Sequence, residues 1–208
     1  MSVILTNLSH TMQTTYEYEE RAFLTEEAFC RVKKELNKVA DSREVDNKTS
    51  YFFVLPGKNL SLALSNKKAV IKYKSGEVGV GNGFEEYEIP VLKENFSELV
   101  EFFKHLLATN PQFSEQFRIN YKLSGNIEVA LKYTETWGFH LEIEKVYFKN
   151  NKIEAAKEEI NKLASSLKIN LLTEEEIIDF RRGIDSGGEH RGAYSSEDFK
   201  VRFGREFI

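Results

Sequence analysis

The sequence predicts an α+β fold: eight strands in a large antiparallel sheet or closed barrel, flanked by helices. Three observations predict it. Eight short segments alternate in polarity or are rich in β-formers. Several of these follow one another through short, turn-like links, as hairpins do. Four stretches carry helical signals between and after them.

Taken in order, residues 14–23 read "TTYEYEERAF". As a strand they set Glu17, Glu19, Arg21 and Phe23 on one face and Tyr16, Tyr18, Glu20 and Ala22 on the other. Residues 25–39 follow Thr25 with a stripe of Ala28, Phe29, Val32, Leu36 and Val39, which predicts a helix. Cys30, the only cysteine, reads as a packing residue of that helix. Strands are predicted over residues 51–55, 60–65 and 69–74, the last two joined by "SNKK". The glycine-rich "SGEVGVGNG" (75–83) precedes a strand over 84–91. Because no helix follows it, it reads as a hairpin tip and not as a phosphate-cradling loop.

Residues 96–107 place Phe96, Leu99, Val100, Phe103 and Leu107 on one helical stripe. Strands over 116–123 and 126–133 meet at "SGN", and a further strand covers 139–147 behind Trp137, a packing anchor. A helix over 152–168 buries Ile153, Ala156, Ile160, Leu163, Ala164 and Leu167. Thr173 three residues before Glu176 is a capping box for a short last helix. Glycine, serine and charge dominate after Gly183, so residues 1–182 read as the domain and 183–208 as a flexible polar tail.

Composition excludes several classes. With 33 acidic and 29 basic residues among 208, the net charge is −4, and no global basic field supports nucleic-acid binding. One cysteine allows neither an intrachain disulfide nor a cysteine zinc cluster. No apolar run approaches the ~18–20 residues that span a bilayer. The expectation is a cytoplasmic protein with a small-molecule partner and no membrane; a homodimer stays open.

Three strands carry Glu-x-Glu: Glu17 and Glu19, Glu86 and Glu88, and Glu142 and Glu144. Solvated faces of an ordinary sheet would explain each one. If the sheet closes with these faces inward, the carboxylates repel one another and need cations. Hard carboxylate oxygens suit Mg²⁺ or Mn²⁺. Arg21 sits on the first of these strands and Lys72, Lys74, Arg118 and Lys132 on others, and together they could hold phosphate oxygens. His140 adjoins the face of Glu142.

These residues carry a resemblance. "EYEER" resembles the Glu-x-Glu-x-Lys signature of CYTH-domain proteins, the triphosphate tunnel metalloenzymes, with Arg21 in place of Lys. "WGFHLEIE", "YFF" at 51–53, "VIKYK" and "LLTEEEIIDF" resemble later family segments in the family's order, over roughly residues 14–180. The resemblance implies an eight-stranded antiparallel β-barrel, or tunnel, that binds triphosphate with Mg²⁺ or Mn²⁺. It implies metal on Glu17, Glu19, Glu142 and Glu144. Phosphate would lie on Arg21, Lys74 and Arg118, with Lys72 and Lys132 adding charge. Glu86 and Glu88 would act in catalysis by positioning metal or water. Three departures stand out. Ser61 and Ala63 replace an Arg-x-Arg pair, Lys132 replaces an Asp, and Thr49 precedes Tyr51 and Phe52 where the family has Asp. A lost guanidinium removes bidentate phosphate recognition.

The expected activity is metal-dependent hydrolysis of inorganic, nucleoside or thiamine triphosphate. The alternative is a non-catalytic binder of phosphorylated ligands or polyphosphate in a degenerate tunnel. Adenylyl cyclisation ranks below both, as does a module that recruits a partner through Arg191, Lys200, Arg202 and Arg205 of the tail.

Overall fold

The computed structural model describes residues 16–55, 58–75, 86–147, 153–185 and 190–207. The proposed hairpin tip at 75–83 and the start of the first strand at 14–15 fall almost wholly outside them. So do the side chains of Glu17, Lys74 and Glu86, although their backbones are placed.

Among the described residues nine strands form one sheet: β1 (Tyr16–Phe23), β2 (Ser42–Val45), β3 (Lys48–Leu55), β4 (Lys58–Ser65), β5 (Ala69–Ser75), β6 (Glu86–Val91), β7 (Gln112–Leu123), β8 (Ile127–Thr134) and β9 (Gly138–Tyr147). Their order is β1-β9-β8-β7-β3-β4-β5-β6, every pairing antiparallel, and β2 also pairs with β7. This order is consistent with a tunnel-like barrel, although no hydrogen bonds join β1 to β6 among the described residues. All eight expected strands are present. β2 was not expected: "SREV" is polar and short, and it runs into β3 through Asp46 and Asn47. Asp46 N–H donates to the Arg118 carbonyl at 3.0 Å, and the Asn47 side chain accepts from Arg118 N–H at 3.1 Å. The two strands thus share one partner across a kink.

Helices cover the outer face. They are α1 (Glu26–Val39), α2 (Phe96–Leu107), α3 (Ile153–Leu167), α4 (Glu174–Asp185) and α5 (Ser196–Phe203). Thr25 caps α1 by accepting from Ala28 N–H at 3.1 Å. Glu176 and Thr173 satisfy each other's backbone N–H groups, which completes the capping box of α4. Alternation divides the sheet: Tyr18, Ala22, Ile119, Tyr121, Val129, Leu131, Leu141 and Ile143 form the main core with Phe29, Val32, Leu36, Ile160 and Leu167. A second core sets Phe53, Leu62 and Ala69 against Phe96 and Val100 of α2.

Two expectations are corrected. Cys30 is exposed, because α1 turns Phe29, Val32 and Leu36 inward and leaves position 30 outside that stripe. Residues 190–207 are no flexible tail. Ser195 caps α5, and Phe199, Phe203 and Phe207 are buried in the main core. Phe199 stacks on Tyr133 with ring centroids 4.1 Å apart. A Ser195-x-x-Asp198 cap followed by phenylalanines four residues apart is the signal that the polar composition hid.

Candidate functional site

The inner face of the barrel carries the opposite set of residues on each strand. On β1 it holds Glu19 and Arg21, and on β9 His140, Glu142 and Glu144. On β8 it holds Glu128, Ala130 and Lys132, and on β7 Gln116, Arg118 and Asn120. Register continues the face through Lys48 and Ser50 on β3, Ser61 and Ala63 on β4, Lys72 on β5 and Glu88 on β6. Glu17, Lys74 and Glu86 occupy register positions of the same parity.

Cross-strand neighbours set the chemistry. Glu19 lies opposite Glu144, which lies opposite Glu128. One step along, Arg21 lies opposite Glu142, which lies opposite Ala130. The next row is Phe23, His140, Lys132 and Arg118. Arg21 Nε–H donates to Glu142 Oε1 at 3.2 Å, and its Nη2 pairs with Glu19. Lys132 Nζ donates to Glu142 Oε2. These are buried pairs: Arg21 and Lys132 are only 8% and 6% exposed. Burial opposes the charge on Glu142, but Lys132 and Arg21 beside it hold its carboxyl well below the usual range. His140 is neutral: burial, reinforced by Lys132, pushes it down to about 4. Its Nδ1–H donates to the Gly138 carbonyl at 2.9 Å.

A basic group adjoins the acids. Burial and the charges of Arg118, Lys132 and Lys72 push Lys48 down to about 7. Lys132 is pushed down to about 8 by burial, with Arg118 working in the same direction and Glu142 against it. At both lysines burial is the larger cause, and the neighbouring cations add to it. Lys48 was missed because "DNKTS" reads as a turn before the β-formers at Tyr51. The strand begins at Lys48, two residues apart from Ser50 on the inner face.

Other expected residues sit further out. Glu88 pairs with Lys72 at 2.8 Å and with Lys68, and the two ammonium groups overcome desolvation to hold it at about 2. It is a fixed anion, ill suited to accept a proton near neutral pH. Ser61, opposite Lys72, offers only a hydroxyl where the resemblance expects a guanidinium. Aromatic rings gather at the row of His140: Phe23 meets Phe180 at 4.9 Å and Trp137 at 5.7 Å. Trp137 also lies under Arg21, 5.9 Å from its guanidinium.

A divalent ion on Glu17, Glu19, Glu142 and Glu144 is the implied cofactor. Glu142 does not fit it, since each of its oxygens already accepts from a cation of the chain. Glu19 shares Arg21 with it. Among the described residues no group of three or more His, Cys, Asp or Glu side chains is placed to hold a metal ion.

No family model matches the sequence, and no curated protein does. Solved structures do. The PH1012 protein from Pyrococcus horikoshii OT3 is 26% identical, with a TM-score of 0.60 over 77% of this chain and 93% of that one. A conserved hypothetical protein from Pyrococcus furiosus is 25% identical, with a TM-score of 0.59 over the same shares of the two chains. A Hippeastrum protein described as a candidate adenylyl cyclase with a dominant triphosphatase activity is 15% identical. Its TM-score is 0.57, over 82% of this chain and 96% of that one. The sheet order and these likenesses agree: the chain shares the fold of these solved structures.

Proposed function

We propose that the protein binds a triphosphate group, or a comparable linear polyphosphate, inside its barrel. One observation carries the reading. Lys48, Lys72, Arg118 and Lys132, from four different strands, share the inner face, where their mutual repulsion adds to burial in bringing Lys48 to about 7. An anion between them would relieve that repulsion. Each charge-assisted hydrogen bond to a phosphate oxygen would add about 1.5–3 kcal/mol. Immobilising each Lys or Arg side chain would offset about 0.5–1.5 kcal/mol of that gain.

Calorimetry with tripolyphosphate tests this. Saturable binding, abolished by Arg118→Glu in a variant that keeps its circular dichroism, is the expected result. No binding heat and no thermal shift at any salt concentration would end the proposal.

A second reading is hydrolysis of that group, which the buried carboxylates beside the basic cluster favour, as does the triphosphatase activity described for the Hippeastrum protein. It is tested by phosphate release from tripolyphosphate, ATP and thiamine triphosphate, with and without Mg²⁺ or Mn²⁺. Turnover by Glu142→Gln at the wild-type rate would remove Glu142 from the chemistry. The cytoplasm and a homodimer remain proposals; among the described residues no helix is long and apolar enough to cross a membrane.

A further inference from the structure

We propose that Arg21 and Lys132 are the resident cations of the acid cluster, closing Glu142 to divalent metal so that polyphosphate is held by the chain's own charges. The second clause rests on the binding function proposed above; the first does not.

Glu142 faces Arg21 on one side and Ala130 on the other. Ala130 ends at Cβ, so the space over it is open to longer neighbours. Lys132, two residues along β8 on the same face, reaches across and takes Oε2. Arg21 takes Oε1 from β1 and also reaches Glu19. Glu19 and Glu142 bring two negative charges, Arg21 and Lys132 two positive ones. A hard divalent ion needs about six oxygen ligands and holds its waters tightly. At Glu142 it would have to displace an ammonium or a guanidinium that is itself more than nine-tenths buried. The displaced charge would then be left buried beside the new one, which is strongly unfavourable. His140 flanks the row as a neutral ring and adds no counter-charge.

The consequence for a ligand is direct. Glu19 and Glu142 are already paired with the chain's own cations, so an incoming polyanion meets Lys48 and Arg118 without facing uncompensated charge at those two carboxylates.

Two measurements on the full chain decide the matter. In the first, MnCl₂ alone is titrated into wild type, Glu142→Gln and Lys132→Asp, with free Mn²⁺ followed by electron paramagnetic resonance. Wild type and Glu142→Gln are expected to match. Lys132→Asp, which removes a resident cation and adds an oxygen ligand, is expected to bind Mn²⁺ at least about tenfold more tightly. A wild-type Mn²⁺ site that disappears in Glu142→Gln overturns the proposal. If Lys132→Asp does not fold, the wild-type and Glu142→Gln comparison still decides.

The second measurement titrates tripolyphosphate in EDTA and in Mg²⁺. Affinities within about twofold of each other are expected once the charge of the Mg²⁺ complex is matched by salt. Binding that requires Mg²⁺ overturns direct recognition. Absence of binding in both buffers would sink the binding function, while the Mn²⁺ titration would still rule on Glu142.

Discussion

Lys132 on β8 donates to the carboxylate of its diagonal neighbour Glu142 on β9, and both groups lie inside the barrel. A buried pair of this kind adds little net stability when intact but is costly to break, because the orphaned charge stays in a poor solvent. Lys132→Met is therefore expected to destabilise the fold by about 3–5 kcal/mol. Adding Glu142→Gln should recover part of that loss. Urea denaturation of the two single variants and the double variant measures the coupling, and additive losses would contradict the pairing.

Lys48 makes ligand binding proton-linked. Its folded value is near 7, well below that of a free lysine, because of burial and the cations around it. A bound polyanion would raise it again, so binding should take up about half a proton at pH 7 and close to one between about pH 8 and 9. Calorimetry in buffers of different ionisation heat reads this number directly. The sign for the unliganded protein is the reverse: protonated Lys48 is a burden, so its contribution to stability improves as pH rises from about 7 towards 10.5. Lys48→Met should abolish the proton uptake and flatten that part of the stability profile.

His140 predicts acid sensitivity. Folded, it holds a proton only below about 4, against 6.5 when unfolded. The unfolded chain thus binds the extra proton between those values, and stability falls as pH drops from 6.5 to 4. The loss amounts to at most about 3 kcal/mol. His140→Gln should reduce the slope of stability against pH in that window. An unchanged slope would show that His140 does not titrate this way.

The C-terminal segment should be as important as any strand. Arg191 and Gly192 hydrogen-bond to the carbonyls of Thr136 and Glu135, beside the β8–β9 turn. A Cβ on Gly192 would lie 2.3 Å from the Glu135 carbonyl oxygen, and that neighbour is backbone and cannot yield cheaply. Gly192→Ala should therefore loosen this attachment, seen as faster amide exchange over residues 190–207. Phe199→Ala should cost about 3–5 kcal/mol, the loss of a fully buried aromatic ring.

Much of this was legible in the sequence. Period-two alternation located eight strands, and once the sheet curls it also assigns Glu19, Arg21, Lys72, Arg118, Lys132, Glu142 and Glu144 to one face. Pairing was not legible. Nothing in the spacing of Lys132 and Glu142 says that they meet, because their contact depends on the small side chain of Ala130 and on strand register. Lys48 and β2 were hidden by polar residues that read as a turn, and α5 by glycine and serine around three well-spaced phenylalanines. In each case tertiary burial outweighed local composition.

The rings of Phe199, Phe203 and Phe207 join the outer core against strands made much earlier. Translation must therefore run past position 207 before the hydrophobic interior can close. Until then β7 to β9 lack the aromatic cover that these three rings provide.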